Sequence, residues 1–134
     1  VVDRTIEALN ERLQKASKGA RVLVVGIAYK KNVDDTRESP AFKIIELLEK
    51  RGAEVSFYDP IVAEIMPTRE HPEYGGRRSI DFTQAALSGF DAAIVCTDHD
   101  SIDYRRLVDW SRLVVDTRNA CARHGIAVEH VVKA

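Results

Sequence analysis

Arg21-Val22-Leu23-Val24-Val25-Gly26, running on into Ile27-Ala28-Tyr29-Lys30-Lys31-Asn32-Val33-Asp34-Asp35-Thr36-Arg37-Glu38-Ser39-Pro40, is the stretch that decides the fold. Its first part is a near-continuous β-branched run closed by glycine. Such a run fits a strand covered on both faces, as in a parallel sheet. Its second part, Ile27 to Ser39, is polar and about 13 residues long, where βα loops usually take roughly 2 to 6. Ser39 is a natural N-cap, and Pro40 suits the first position of a helix. Ala41, Ile44, Ile45 and Leu48 then recur on one helical face over residues 40 to 51. Gly52 ends that helix, and Ala53 to Tyr58 reads as the next strand. This is a βαβ unit, expected to be right-handed.

Working outward, residues 2 to 17 predict a helix with Val2, Ile6, Leu9 and Leu13 as its apolar stripe and Gly19 as its stop. It reads as a docking or connecting helix. Residues 60 to 80 hold Pro60, Pro67, Pro72 and Gly75-Gly76, and predict a surface excursion with one helical turn near Val62 to Met66. Asp81 is placed to cap a short helix, with Gln84 at the reciprocal capping-box position and Gly89 as its end. Asp91 to Cys96 is a third strong strand. Asp100 then caps a helix through about Asp109, Arg112 to Val115 is a fourth strand, and Ile126 to Val128, extending toward Val131, is a weak fifth. Alternating strands and helices predict an α/β fold, a three-layer Rossmann-like sandwich with a mainly parallel sheet of about five or six strands.

The bulk properties narrow the function. The 134 residues suit one domain, and 45% hydrophobic with 31% charged residues is an ordinary globular balance. The formal net charge of -1 excludes a general nucleic-acid surface, which needs a clear basic excess. No apolar run approaches the roughly 18 residues of a membrane span. Two cysteines, Cys96 and Cys121, make no disulfide framework and point to a reducing, cytoplasmic compartment. The chain opens Val1-Val2-Asp3 inside a helical pattern, so a piece of a longer protein is expected. His71, His99, His124 and His130 show no metal-ligand spacing, and the cysteines lie far apart, so no metal site is expected. Cys121 has only His124 as a neighbour, taken as chance, and His99 is read as part of a cap before a helix.

In open α/β sheets ligands bind at the carboxyl ends of the strands. The long loop after strand one carries Lys30, Lys31 and Arg37, and feeds a helix N-terminus, where free N–H groups favour an anion. Arg118 follows strand four in Asp116-Thr117-Arg118-Asn119 and should emerge on the same edge. Three cations on one rim suggest a phosphate-bearing ligand. The alternative is that they merely pair with Asp34, Asp35, Glu38 and Asp116. A whole dinucleotide is disfavoured, because the G-x-G-x-x-G fingerprint has Ala28 and Lys31 at its later positions. Asp59 resembles a ribose-binding acid but lies too far from Gly26, and Asp59-Pro60 reads better as a strand-ending turn.

Gly26-Ile-Ala-Tyr-Lys-Lys-Asn-Val-Asp-Asp-Thr-Arg-Glu-Ser-Pro40 closely resembles the signature opening the C-terminal domain of UDP-glucose/GDP-mannose dehydrogenases. Gly52-Ala-Glu-Val-Ser-Phe-Tyr-Asp-Pro60 and Val115-Asp-Thr-Arg-Asn119 resemble the same domain, in the right order and spacing. The resemblance implies residues 1–18 as the end of a connecting helix and residues 19–134 as a UDP-binding domain. It implies an enzyme that oxidises a UDP-sugar at C6 with NAD, the NAD and the catalytic cysteine belonging to domains outside this chain. It places Tyr29, Lys30 and Arg118 on UDP and Arg37 across a domain cleft toward NAD, with Asp35 ordering the loop and Lys31 solvated. No catalytic residue is expected here, so the chain alone should be inactive. The other domains and a homodimer or higher oligomer are the implied partners. Thr97-Asp-His-Asp-Ser-Ile-Asp-Tyr104 resembles the branch acting on UDP-N-acetylhexosamines, such as UDP-N-acetylglucosamine. The competing reading is a non-catalytic Rossmann-like assembly or regulatory module.

Overall fold

The computed structural model describes residues 1–69 and 71–134. Among them, five strands form one sheet: β1 (Arg21–Val25), β2 (Glu54–Tyr58), β3 (Ala92–Val95), β4 (Val114–Asp116) and β5 (Val131–Lys133). They stand in the order β2-β1-β3-β4-β5, and every adjacent pair is parallel. The predicted α/β Rossmann-like fold with a parallel sheet is therefore correct.

Alternate residues of the central strands feed two cores. Val22, Val24, Ala92, Ile94, Val115 and Val132 face helices α1 (Val2–Leu13) and α2 (Pro40–Lys50). Leu23, Val25, Ala93, Val95 and Val114 face α3 (Gln84–Leu87), α4 (Tyr104–Trp110) and α5 (Ala120–Arg123). Burial on both faces is why these strands read as continuous apolar runs. At about 25 cal/mol per Å² of apolar area, the two cores supply the main drive for folding.

Several boundaries move, each for a packing reason. Helix α1 stops at Leu13, where Gln14 takes a left-handed φ of 50°, well before Gly19. Its buried face is Val2, Thr5, Ala8 and Leu9, with Ile6 and Leu13 only partly covered. The 62–66 stretch is not helical. Ile65 exchanges backbone hydrogen bonds with Arg77 and Gly76, beside an antiparallel bridge between Glu64 and Arg78. Helix α3 is capped by Thr83, not Asp81, because Phe82 is held against Tyr58 and Trp110 at ring distances of 4.8 and 5.4 Å. Asp103, not Asp100, caps α4. The fifth strand is 131–133. Ile126 is buried instead as a loop anchor in the second core. Helix α5 was not foreseen; Asp116 holds its start by accepting hydrogen bonds from the N–H groups of Ala120 and Cys121.

Candidate functional site

The strand order reverses direction between β1 and β3, and the crevice outside the carboxyl ends at such a point is where doubly wound sheets bind ligands. A cleft of about 780 Å³ lies there. Lys30 and Lys31 reach it from the loop after β1, Asp98 from the loop after β3, Arg118 from the loop after β4, Arg123 from α5 and Lys133 from β5. With Asp116, the lining holds five cationic side chains and two carboxylates, in a chain whose net charge is -1. The local excess is what an anionic ligand requires.

The cations differ in how they are held. Arg118 Nε lies 3.4 Å from the Asp98 carboxylate, which Arg123 also contacts, and the Arg118 N–H donates to Asp116 at 3.1 Å. The first contact tethers the guanidinium and the second holds the main chain, while the side chain stays half exposed. Lys31 is exposed, as expected, and approaches Asp100 at 3.9 Å. Lys31, Arg37, Arg118 and Arg123 each have a carboxylate partner; among the described residues Lys30 has none.

The expected single cluster is divided. Lys30 and Arg118 share the cleft, but Arg37 lines a separate cavity of about 380 Å³ with Thr36, Phe42 and His71, at the N-terminus of α2. Arg37 forks onto Asp35 at 3.0 and 2.8 Å, as the pairing alternative foresaw for this residue. Side-chain and backbone hydrogen bonds from Arg37 hold the Asp35 carboxyl at about 2, so this clamp is charged at neutral pH. The Tyr29 ring is exposed and lines neither cavity, while its N–H donates to the Asp35 carbonyl at 2.7 Å.

Asp59 does end β2 in a turn. Its carboxylate accepts from the N–H groups of Ile61, Val62 and Ile27, and meets His99 Nε2 at 2.9 Å. Four donors on a buried carboxylate leave nothing for a ribose. Together with the missing glycines, this means that the chain's own residues do not fit a dinucleotide such as NAD. Burial pushes both thiols up to about 12, with the Asp116 carboxylate adding to the effect at Cys121, so neither is poised as a nucleophile.

Comparisons with known proteins give the family. Residues 23–123 match the UDP-glucose/GDP-mannose dehydrogenase family, UDP binding domain. The chain belongs to that family. UDP-glucose 6-dehydrogenase AglM of Haloferax volcanii is 35% identical over 137 residues, 97% of this chain and 30% of that protein. UDP-N-acetyl-D-mannosamine dehydrogenase of Pyrococcus horikoshii is 32% identical over 122 residues, 83% of this chain and 25% of that protein. Among solved structures, NDP-N-acetyl-D-galactosaminuronic acid dehydrogenase of Methanosarcina mazei Go1 superimposes with a TM-score of 0.74 at 27% identity, over 98% of this chain and 27% of that one. The chain thus spans less than a third of the length of these dehydrogenases.

Within this family's UDP binding domain, the sequence reading missed Asp98, Arg123 and Lys133 in the cleft and the Asp59–His99 pair. Asp98 was findable, since it follows β3 on the ligand edge. Lys133 was not findable, because the fifth strand reads as 126–128 extending only toward Val131, whereas it spans Val131–Lys133. The pairing of Asp59 with His99, 40 residues apart, has no local signal.

Proposed function

We propose that this chain holds the nucleotide half of a UDP-sugar for an NAD-dependent 6-dehydrogenase, which oxidises a UDP-hexose or UDP-N-acetylhexosamine to the uronic acid. Lys30 and Arg118 grip the diphosphate in the cleft, and Tyr29 flanks the nucleotide from its rim. Arg37, set apart in the second cavity and stiffened by Asp35, faces a neighbouring domain and the NAD held there. The single observation that supports this most is the convergence of Lys30 and Arg118, from two separate crossovers, on one cationic cleft. Redox chemistry and NAD binding belong to parts of the protein outside this chain, which by itself is inactive. The full protein assembles as a dimer or larger oligomer. The acetamido sugars fit the resemblance around Thr97 to Tyr104; relatives named for glucose and for N-acetylmannosamine leave the sugar to be fixed by those other parts.

Calorimetric titration with UDP and with NAD separately tests this reading. UDP should bind and NAD should not. Lys30→Ala and Arg118→Ala should each weaken UDP about 10- to 100-fold, the worth of a charge-assisted hydrogen bond of roughly 1.5–3 kcal/mol. Unchanged affinity in both variants removes the site. No UDP binding at all favours an assembly module. Arg37→Ala should leave UDP affinity intact here and impair turnover in the full-length enzyme.

A further inference from the structure

The phosphate grip does not use the Asp59–His99 pair, yet the pair lies directly behind the loop that supplies it. Both side chains are sealed from solvent. His99 Nε2 lies 2.9 Å from Asp59, and His99 Nδ1 accepts the Asn32 N–H at 2.8 Å. An imidazole that accepts at Nδ1 carries its one proton on Nε2, so the ring is neutral while the loop is seated. Asn32 sits in the left-handed region at φ 65°. Its side chain is clamped as well: Oδ1 accepts the Asp100 N–H at 2.9 Å, and Nδ2 donates to the Asp100 carboxylate at 2.7 Å. Lys30 and Lys31 immediately precede this clamp.

The geometry points to His99 as a positioning residue for nucleotide binding: its neutral ring seats Asn32 and thereby holds Lys30 and Lys31 in the cleft, and a second proton at Nδ1 unseats them. The inference rests on the nucleotide reading above. A proton on Nδ1 sets N–H against the N–H of Asn32. Asp59 stays paired with the imidazolium on the other side, so the contact that gives way is the one to the loop.

The groups facing His99 come from three directions. Asp59 stands at the end of β2. Asp100, with Lys31 beside it, lies behind Asn32. Tyr104 of α4 donates its hydroxyl to the His99 carbonyl at 2.8 Å. Burial opposes ionisation of Asp59, but the His99 hydrogen bond and the N–H groups of Ile27, Val62 and Ile61 outweigh it and hold the carboxyl below its ordinary range. The Asn32 hydrogen bond and the Lys31 charge do the same for Asp100. Burial, then the Asp98 carboxylate, push Tyr104 up. These three keep their charge state between about pH 5 and 8.

Two measurements on this chain across that window test the inference. One is hydrogen-exchange protection of the Asn32 amide without ligand, followed beside the NMR titration of the His99 ring. The other is calorimetric titration with UDP-glucose, whose diphosphate has no ionisation near neutrality. The variants are His99→Gln and Lys30→Ala. Glutamine can accept from Asn32 and donate to Asp59 without titrating. In the wild type, Asn32 protection should fall as the His99 ring takes its second proton. One pH unit below that midpoint the affinity should be about tenfold weaker, because only about a tenth of the molecules keep the loop seated. Binding there should release a proton. His99→Gln should keep the neutral-pH affinity and show no acid loss. Asn32 protection that ignores the ring titration, or His99→Gln retaining the wild-type acid loss, overturns the inference. If UDP-glucose binds at no pH the nucleotide reading falls, and if Lys30→Ala binds like the wild type Lys30 drops out of the grip; in both cases Asn32 protection still decides the role of His99.

Discussion

Gly26 shows how much one residue carries. Its φ is +83°, a conformation that side chains rarely adopt. A Cβ there would also stand 2.3 Å from the Thr97 carbonyl oxygen. The exits of β1 and β3 are pressed together at this point, and that closeness lets His99 reach Asn32 and Thr97 reach the Ala28 carbonyl at 2.8 Å. Gly26→Ala should therefore cost roughly 2–4 kcal/mol, combining backbone strain with a clash against main chain. A urea unfolding midpoint equal to that of the wild type would contradict it. The glycine ending a β-branched run was legible from sequence; the carbonyl it makes room for was not, since Thr97 is distant in the chain.

Helix α2 is the element that came through from sequence most nearly intact. Ser39 accepts the Ala41 N–H at 3.2 Å, Pro40 occupies the first turn, and of the expected face Ala41, Ile45 and Leu48 are buried, joined by Phe42, while Ile44 is only partly covered. Ser39 Oγ also donates to the Ala28 carbonyl at 3.3 Å, so the cap ties the helix to the ligand loop. Ser39→Ala should lower stability by about 1 kcal/mol. A calorimetric melt unchanged from the wild type would show the cap to be idle. Helices α3 and α4 teach the opposite lesson. Asp81 and Asp100 are good caps by composition, yet Thr83 and Asp103 serve, because Phe82 and Ile102 are drawn into the core and Asp100 is engaged by Asn32. Local capping preference is worth about 1 kcal/mol and yields to the burial of a large side chain.

At the scale of the molecule, one sheet with a core on each face gathers the loops after β1, β3 and β4 at one edge. Binding to such a preformed cleft stabilises the folded state by mass action. UDP at about 100 times its dissociation constant should add about 2.7 kcal/mol and raise the melting temperature by roughly 10 °C. NAD should give no such shift. A flat UDP response at saturating concentration would mean that the cleft is not the site. That Lys30 and Arg118 share one cleft was legible, because position after a strand fixes the edge on which a side chain emerges. The separation of Arg37 from them was not, because it depends on how a single loop of 13 or so residues is folded against Asp35 and α2.

The order of apolar runs and polar loops settled the layers and the ligand edge, since burial on two faces leaves a pattern that needs no knowledge of neighbours. Family membership was legible in the loop motifs, because their resemblance to the family is local in sequence. The strand order, the two separate cavities, and the buried link from Asp59 through His99 to Asn32 were decided only by the folded chain. Each joins residues far apart in sequence, and a hydrogen bond between distant residues has no periodicity to betray it.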